Sequence, residues 1–581
     1  MIVLGYSGLD ASVRHLRQDN DLRPGEERIV QGLDSAAALL VDGRVVAAAA
    51  EERFSFEKHS NAFPRDSILY CLKTAGVSPG EIDLVAHGFA FARHAQLLSA
   101  GNKYEQVLAP ERQIELFRDK LDLSLPPAKF FAVPHHLAHA GSCCLPSGFD
   151  EALCVICDGV GEIESLSVYA FRDGGFQPLD RFLAKDSLGI LYGLVTVHLG
   201  FKFNADEYKV MGLAPYGNPD RFRDFFASIV DVKDEGRFSV DLTRMDAGKD
   251  PYYRGFLRHL AENVIERPQS SEHLPQRHCD FAAAAQECLE EMLFHVIAHW
   301  RRRTGLKNLC MAGGVALNCT FNGKLLRSGL FDQVYVQPAA GDDGTALGAA
   351  MIATRHIGDE LSPANHRELP FYGPSYSAEA VAAAVARAAE GLDVAELGSE
   401  WVAAADAAKA LAEGEIVAWF QGRMEYGPRA LGNRSILANP LLPDIKDRLN
   451  AVIKLREGFR PFAPAVTMER AAEYFDFVPS PIFDTMLATC HTRPEWRSRL
   501  PGVTHVDGSA RMQTVDAARN RLFHHLISSF GRLTGVHCVV NTSFNLRGQP
   551  IILSPTVAIE TFRKVRIDRL YLGSLCLRKP R

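Results

Sequence analysis

No apolar run in this chain approaches the ~20 residues of a membrane-spanning helix; the longest, Ala36–Val41 and Val45–Ala50, are strand-length. Basic excess is also missing. Lys and Arg number 64 against 70 Asp and Glu, a net charge of −6, which gives no electrostatic reason to expect nucleic acid. A disulfide framework is absent: 12 cysteines are scattered over 581 residues, the pattern of reduced cytosolic thiols. Cys154 and Cys157 form a CxxC with no second pair, which reads as strand packing rather than zinc. The start, MIVLGYSGLD, has neither a basic segment nor a long apolar stretch, so no leader is expected and a cytoplasmic location is. There is no P-loop either. Gly427 and Gly432 have the right gap, but Asn433-Arg434 stands where Gly-Lys would.

What remains is globular. Apolar residues make up 47% and charged residues 23%, and the length predicts about three or four structural units. Two segments share a plan. Asp34 precedes SAAALLV, the turn Asp42-Gly43 and RVVAAAAEE; ALCVIC leads to Asp158-Gly159, then ESLSVYAFR, the turn Asp173-Gly174 and another strand. Each is an acidic residue at a strand edge beside a β-hairpin, which predicts a duplicated α/β unit facing a cleft. Apolar spacing predicts a long helix from Phe281 to about Arg303, capped by Gly305. The strand LKNLCMA follows, and Gly313-Gly314 turns into a helix carrying Asn318. Glycines there let a ligand approach backbone amides. A Pro/Gly/Ser-rich stretch, Ile357–Ser377, reads as a linker and puts a domain boundary near residue 365.

Chemistry-bearing residues fall in two sets. After the strand KFFAV comes Pro134-His135-His136-Leu137-Ala138-His139. His135 and His139 share a helical face and can chelate one metal. Asp158 and the Gly341-Asp342-Asp343-Gly344 loop are candidates for further ligands, and a two-histidine, carboxylate set suits Fe(II), Mn or Zn more than Mg. Glu162 has neighbours that give it no specific role. The second set lies in QGRMEYGPRALGNRS (421–435), with Lys454, Arg456 and Arg460 in KLREGFRPFAP, Arg511 in ARMQTV, and Asn541-Thr542-Ser543-Phe544-Asn545. Arginines and exposed amides among glycines suit a phosphate or acyl phosphate.

These blocks, with EERFSFEKH (51–59), CDGVGE (157–162), EYKVMGLAPYG (207–217), AGGVALNCTFNGK (312–324) and GDDGTALGAA (341–350), occur in the order found in NodU-type O-carbamoyltransferases, which the chain resembles over nearly its whole length. The resemblance implies an actin-like ATPase (ASKHA) module, of threonylcarbamoyl-transferase type, over 1–365 and a YrdC-like α/β module over 366–581. It implies that ATP, with Mg, and carbamoyl phosphate form carbamoyladenylate in the second module. The carbamoyl group would then pass in the first to a hydroxyl of a small natural product, as in antibiotic tailoring. By motif match, His135, His139, Asp158 and Asp342 would bind a metal, Fe(II) or another divalent transition metal, with His139 and Asp158 also catalytic. Gly313, Gly314, Asn318 and Lys209 would hold the nucleotide. Arg429, Lys454, Arg460, Arg511, Asn541, Ser543 and Phe544 would form the carbamoyl-phosphate site, and Lys58, matching a position in the acceptor cleft, would also be catalytic. The run Gly32-Leu33-Asp34-Ser35 departs from the family's usual His-Asp, with leucine in place of histidine. That leaves the general base unassigned. The alternatives, a tRNA-directed threonylcarbamoyl transferase and an actin-fold small-molecule kinase, account for fewer of these blocks. Neither the acceptor nor the oligomeric state is legible.

Overall fold

The computed structural model describes residues 1–19, 22, 25–98, 104–242, 250, 252–271, 274–454 and 456–580. The fold is mixed α/β, in two compact units. The first comprises Met1–Ser55, His59–Phe321 and Ser328–Glu368; the second comprises Phe56–Lys58, Asn322–Arg327 and Leu369–Arg581. Among the described residues, no helix is long and apolar enough to cross a membrane.

The first unit is built on two five-stranded sheets. One contains β1 (Ile2–Ser7), β2 (Ala36–Val41), β3 (Arg44–Ala50), β4 (Leu84–His87) and β5 (Phe130–Ala132), in the order β3-β2-β1-β4-β5. After helix α1 (His135–Cys144), the other contains β6 (Glu151–Cys157), β7 (Glu164–Arg172), β8 (Gly175–Leu183), β9 (Asn308–Ala312) and β10 (Gln333–Val336). Its order, β8-β7-β6-β9-β10, repeats the first position for position. In both, the first three strands are antiparallel and the last two join in parallel. The hairpin turns match as well. Asp42-Gly43 has φ of 47° and 70°, and Asp173-Gly174 has 48° and 75°. Two successive positive φ values are what a type I′ turn needs, and its twist suits the flanking strands. Cys154 and Cys157 are buried on β6, as packing residues.

Further helices of this unit, three of them named here, bear on the site. α2 (Glu207–Leu213) carries Lys209, and α3 (Gln276–Thr304) runs 29 residues to Gly305, whose φ of 72° ends it. α4 (Asp343–His356) begins at the acidic loop. Each repeat ends in a helix that crosses to the other sheet: α1 packs on β6 and β9, and α4 on β1, β2 and β4. The two helices meet at small residues. A Cβ on Gly348 would overlap the Ala138 carbonyl oxygen, and one on Gly141 would come within 2.7 Å of Ile352 and 3.0 Å of the Gly348 carbonyl.

The second unit holds an eight-stranded sheet. Its strands are β11 (Asp393–Glu396), β12 (Val417–Phe420), β13 (Arg434–Ala438), β14 (Ala463–Thr467), β15 (Gln513–Val515), β16 (Cys538–Ser543), β17 (Arg569–Leu572) and β18 (Leu575–Arg578), ordered β11-β18-β17-β12-β13-β16-β14-β15. Helices α5 (Glu400–Ala412) and α6 (Arg521–Thr534) pack together over one face. Ala403, Ala407 and Leu411 meet Phe523, Leu526 and Phe530 above Trp419 and Tyr571 in a core closed to solvent.

Candidate active site: a buried two-histidine, two-aspartate group and an asparagine-centred loop cluster

In the first unit the carboxyl ends of β4 and β6 and the starts of α1 and α4 converge. His135 and His139 lie on one face of α1, with their Nε2 atoms 3.1 Å apart. Asp158 Oδ2 is 3.3 Å from His135 Nε2 and 3.6 Å from His139 Nε2, and Asp342 Oδ1 is 3.4 and 3.6 Å from the same atoms. One ligand atom from each residue falls within 4.8 Å of all the others. The backbone sets this up. The Gly88 carbonyl lies 2.9 Å from His135 Nδ1, so that nitrogen donates and the ring turns Nε2 toward the centre. Asp158 Oδ1 accepts from the Gly159 and Gly314 amides at 2.7 and 3.3 Å, which turns Oδ2 toward the histidines.

The electrostatics agree with a cation-binding centre. Burial alone would lower His135, yet Asp342 and Asp158 outweigh it and hold the imidazole well above its ordinary range; His139 moves the same way. Burial alone would raise Asp158, but the two imidazoles hold it well below the usual carboxylate range. A bound divalent cation would replace the imidazole protons, and both histidines and both carboxylates would then offer electron pairs to one point. His136, by contrast, faces away. Burial pushes it down to about 3, and its Nδ1 sits 2.7 Å from Ser167 Oγ.

Glu162 has a role that its sequence neighbours did not reveal. Its carboxylate accepts from the His135 amide at 2.9 Å and the Ala90 amide at 2.7 Å. It caps the start of the histidine helix and favours that helix's positive end. Only the fold brings residue 162 to residue 135.

The expected nucleotide residues adjoin this centre unevenly. Gly314 touches it through Asp158. The residue before it, Gly313, has φ of 91° and lies so close to the Cys157 carbonyl that no side chain fits. Asn318 stands just before its helix rather than within it. It caps that helix through the Phe321 amide at 3.0 Å and is held by Gln286 of α3 at 3.0 Å. Lys209 pairs with Asp206 at 3.1 Å. Lys58 falls in the Phe56–Lys58 stretch that groups with the second unit.

In the second unit, Asn541 on β16 is a hub. Its Nδ2 donates to Gln513 Oε1 at 2.8 Å and to the Ala430 carbonyl at 3.2 Å. This draws together the Arg429 loop, β15 with Arg511 just before it, and β16. Asn541 Oδ1 is buried and has no hydrogen-bond partner among the described residues. Gln513, which sequence reading missed, also donates to the Leu431 carbonyl at 2.9 Å and so ties the hub to the loop. Ser543 Oγ is 2.7 Å from Asn545 Oδ1, and Phe544 is fully buried, its amide donating to the Arg434 carbonyl. Arg460 pairs with Glu457 at 3.4 Å. The side chain of Lys454 lies outside the described residues.

The three loop arginines divide. Arg434 is closed to solvent, donates to the carbonyls of Gln421, Gly422, Asn433 and Pro374, and lies 3.6 Å above the Phe420 ring. Arg423 donates to the carbonyls of Tyr372 and Gly373. Both stitch the loop. Glu425 organises it from inside, accepting from the amides of Leu431, Asn433 and Arg434. Arg429 is the loop arginine next to the Asn541 hub.

Comparison with known proteins bears on both units. The family model described as carbamoyltransferase N-terminus matches residues 30–104 and 91–351, and carbamoyltransferase C-terminus matches 408–579. Nodulation protein NolNO of Sinorhizobium fredii is 39% identical over 94% of this chain and 79% of its own length. Nodulation protein NolO of Bradyrhizobium diazoefficiens is 40% identical over 77% and 78%. An uncharacterized protein of Synechocystis, sll1178, is 36% identical over 94% and 95%. Among solved structures, full-length HypF superposes with a TM-score of 0.32 at 13% identity over 62% of this chain and 56% of that one, too slight a likeness to carry an argument.

Proposed function

The chain belongs to the carbamoyltransferase family and is a transferase, and from that premise we propose that it works in two steps, one in each unit. In the second unit water cleaves carbamoyl phosphate to carbamate and phosphate, and a carbamate oxygen displaces pyrophosphate from the α-phosphorus of ATP to give carbamoyladenylate. In the first, a hydroxyl of a small-molecule acceptor takes the carbamoyl group and AMP leaves. The observation that carries this reading is the separation of two chemically different clusters. A buried two-histidine, two-carboxylate group lies in one unit and an arginine-flanked asparagine hub in the other.

In the first unit the repeated sheets support an actin-like module, with the nucleotide end of the intermediate lying along Gly313, Gly314 and Asn318. His135, His139, Asp158 and Asp342 would hold a divalent transition metal, Fe(II) by family resemblance, which would act as a Lewis acid on phosphate oxygens. The Gly314 amide, already aimed at Asp158, adds a donor at the leaving phosphate. Lys209 lies on α2, whose Met211 meets Cys319 beside Asn318, and would contribute a positive charge. In the second, YrdC-like unit Asn541 fixes the loop on which Arg429 sits. Arg429, Arg511 and Arg460 offset the anionic charge of carbamoyl phosphate, and the buried Asn541 Oδ1 accepts from its amide. Lys454, Ser543 and Phe544 complete the proposed wall.

The test is pyrophosphate release by the intact chain with ATP and Mg. Release that requires carbamoyl phosphate, with carbamate formed on an added alcohol and detected by mass spectrometry, is the expected result. Pyrophosphate release indifferent to carbamoyl phosphate sinks the scheme.

A further inference from the structure

A second polar cluster of the first unit has no part in the scheme so far. Asp34, at the turn into β2, and His59, beyond β3, both hold left-handed backbone, with φ of 57° and 58°. Such conformations cost energy and persist only where the surroundings impose them. Asp34 Oδ1 lies 2.6 Å from His59 Nδ1. Glu52 accepts the His59 backbone amide at 3.0 Å and pairs with Arg53 at 2.8 Å. Glu52 thus fixes the backbone of His59, while Asp34 orients its ring.

With a carboxylate accepting at Nδ1, that nitrogen carries the proton and Nε2 carries a lone pair. His59 Nε2 is buried and has no hydrogen-bond partner among the described residues. A buried acceptor left unpaired is costly, and a hydroxyl donated to it removes the cost. The pair is not sealed, since the side chains of His59 and Asp34 are 18% and 27% exposed.

Position links the pair to the histidine centre. The Asp34 carbonyl accepts from Ser7 Oγ at the carboxyl end of β1. β4 runs parallel beside β1, and Gly88 at its end holds His135. Besides the Asp34 carboxylate at Nδ1 and the Glu52 carboxylate at the backbone amide, Glu207, raised by burial, is eased by His59.

We propose that His59 takes the proton from the acceptor hydroxyl and that Asp34 is its positioning residue, a role that rests on the two-step reading above. The hydroxyl O–H proton passes to His59 Nε2 as the oxygen forms its bond to the carbamoyl carbon. The bond from that carbon to the AMP phosphate oxygen breaks, and the electron pair leaves with AMP. The histidine missing at position 33 is thereby replaced from position 59, across the hairpin.

The experiment uses the full chain in two measurements. In the first, 15N-histidine-labelled protein is compared with His59→Gln by NMR, which assigns His59 among the 20 histidines. An Nδ1–H, Nε2-unprotonated tautomer that is lost in Asp34→Asn is expected; an Nε2–H tautomer in the wild type overturns the proposal whatever the acceptor. In the second, methanol, glycerol, glucose and N-acetylglucosamine are offered with ATP and carbamoyl phosphate. Carbamate formation on any of them should fall about 100-fold or more in His59→Ala and His59→Gln, with partial recovery of the Ala variant by added imidazole. Retention within about threefold overturns the proposal. So does loss of an equivalent of bound metal in Asp34→Asn or His59→Ala, because the Asp34, Glu52 and His59 ligand atoms also lie within 4.8 Å of one another. Pyrophosphate release is followed in parallel. If it ignores carbamoyl phosphate the two-step reading fails, and the tautomer still decides the pair.

Discussion

His87 shows how a single buried residue couples this site to pH. It closes β4, stacks on Tyr6 with ring centroids 4.4 Å apart, and its Nε2 lies 3.1 Å from the Gly8 carbonyl. Burial, which the Gly8 bond only partly opposes, pushes it down to about 4. A depressed histidine is neutral in the fold. Its contribution to stability is therefore complete above its unfolded value near 6.5 and is lost as pH falls toward 4. At about 1.4 kcal/mol per pH unit, that loss is roughly 3 kcal/mol. His87→Gln keeps a donor for Gly8 and does not titrate. Thermal unfolding from pH 7 to 4 should show a shallower decline in this variant than in the wild type, and parallel declines would rule the coupling out.

Between elements, the crossing of α1 and α4 decides where the ligands sit. His135 and His139 ride on one helix and Asp342 immediately precedes the other, so their separation depends on how closely the two backbones approach. Gly348 and Gly141 permit that approach. Gly348→Ala places a methyl group where the Ala138 carbonyl already lies, which forces the helices apart. Overpacking of this kind costs about 1–3 kcal/mol, and misplaced ligands lose about 10- to 100-fold in metal affinity. Metal titration followed by differential scanning calorimetry measures both. Gly80→Ala is the control, since nothing lies within 4 Å of its added carbon. Equal metal affinity in the two variants would show that the crossing does not set the site.

For the whole molecule, the proposed division of labour makes opposite demands on two substitutions. Asn541→Ala removes the hub of the second unit and should abolish carbamoyl-phosphate-dependent pyrophosphate release. Asp342→Ala should leave pyrophosphate release within a few-fold and stop carbamate formation. Supplied carbamoyladenylate should restore carbamate formation to the first variant and not to the second. Failure to rescue a folded, metal-loaded Asn541→Ala protein would break the scheme.

Much of this was written in local pattern. Both hairpins were readable because Asp-Gly pairs meet the φ demands of their turns within four residues, and the i, i+4 histidines because a helix brings such a pair together unaided. The ordered motifs placed the chain in its family. Other features depended on groups far apart in the chain. Asp158 and Asp342 became partners of the histidines only because each repeat sends its terminal helix across to the other sheet. Glu162 found the start of α1, and Gln513 found Asn541, through neighbouring strands. Arg423 and Arg434 are fastened to backbone carbonyls as distant as Tyr372 and Pro374, contacts that composition does not encode. The Asp34–His59 pair likewise awaited the fold: sequence showed that position 33 lacks a histidine, whereas the return of the chain past β3 brought one to Asp34. Local geometry is set by residues a few bonds apart; a site whose members come from separate strands and helices exists only once burial has packed those elements together.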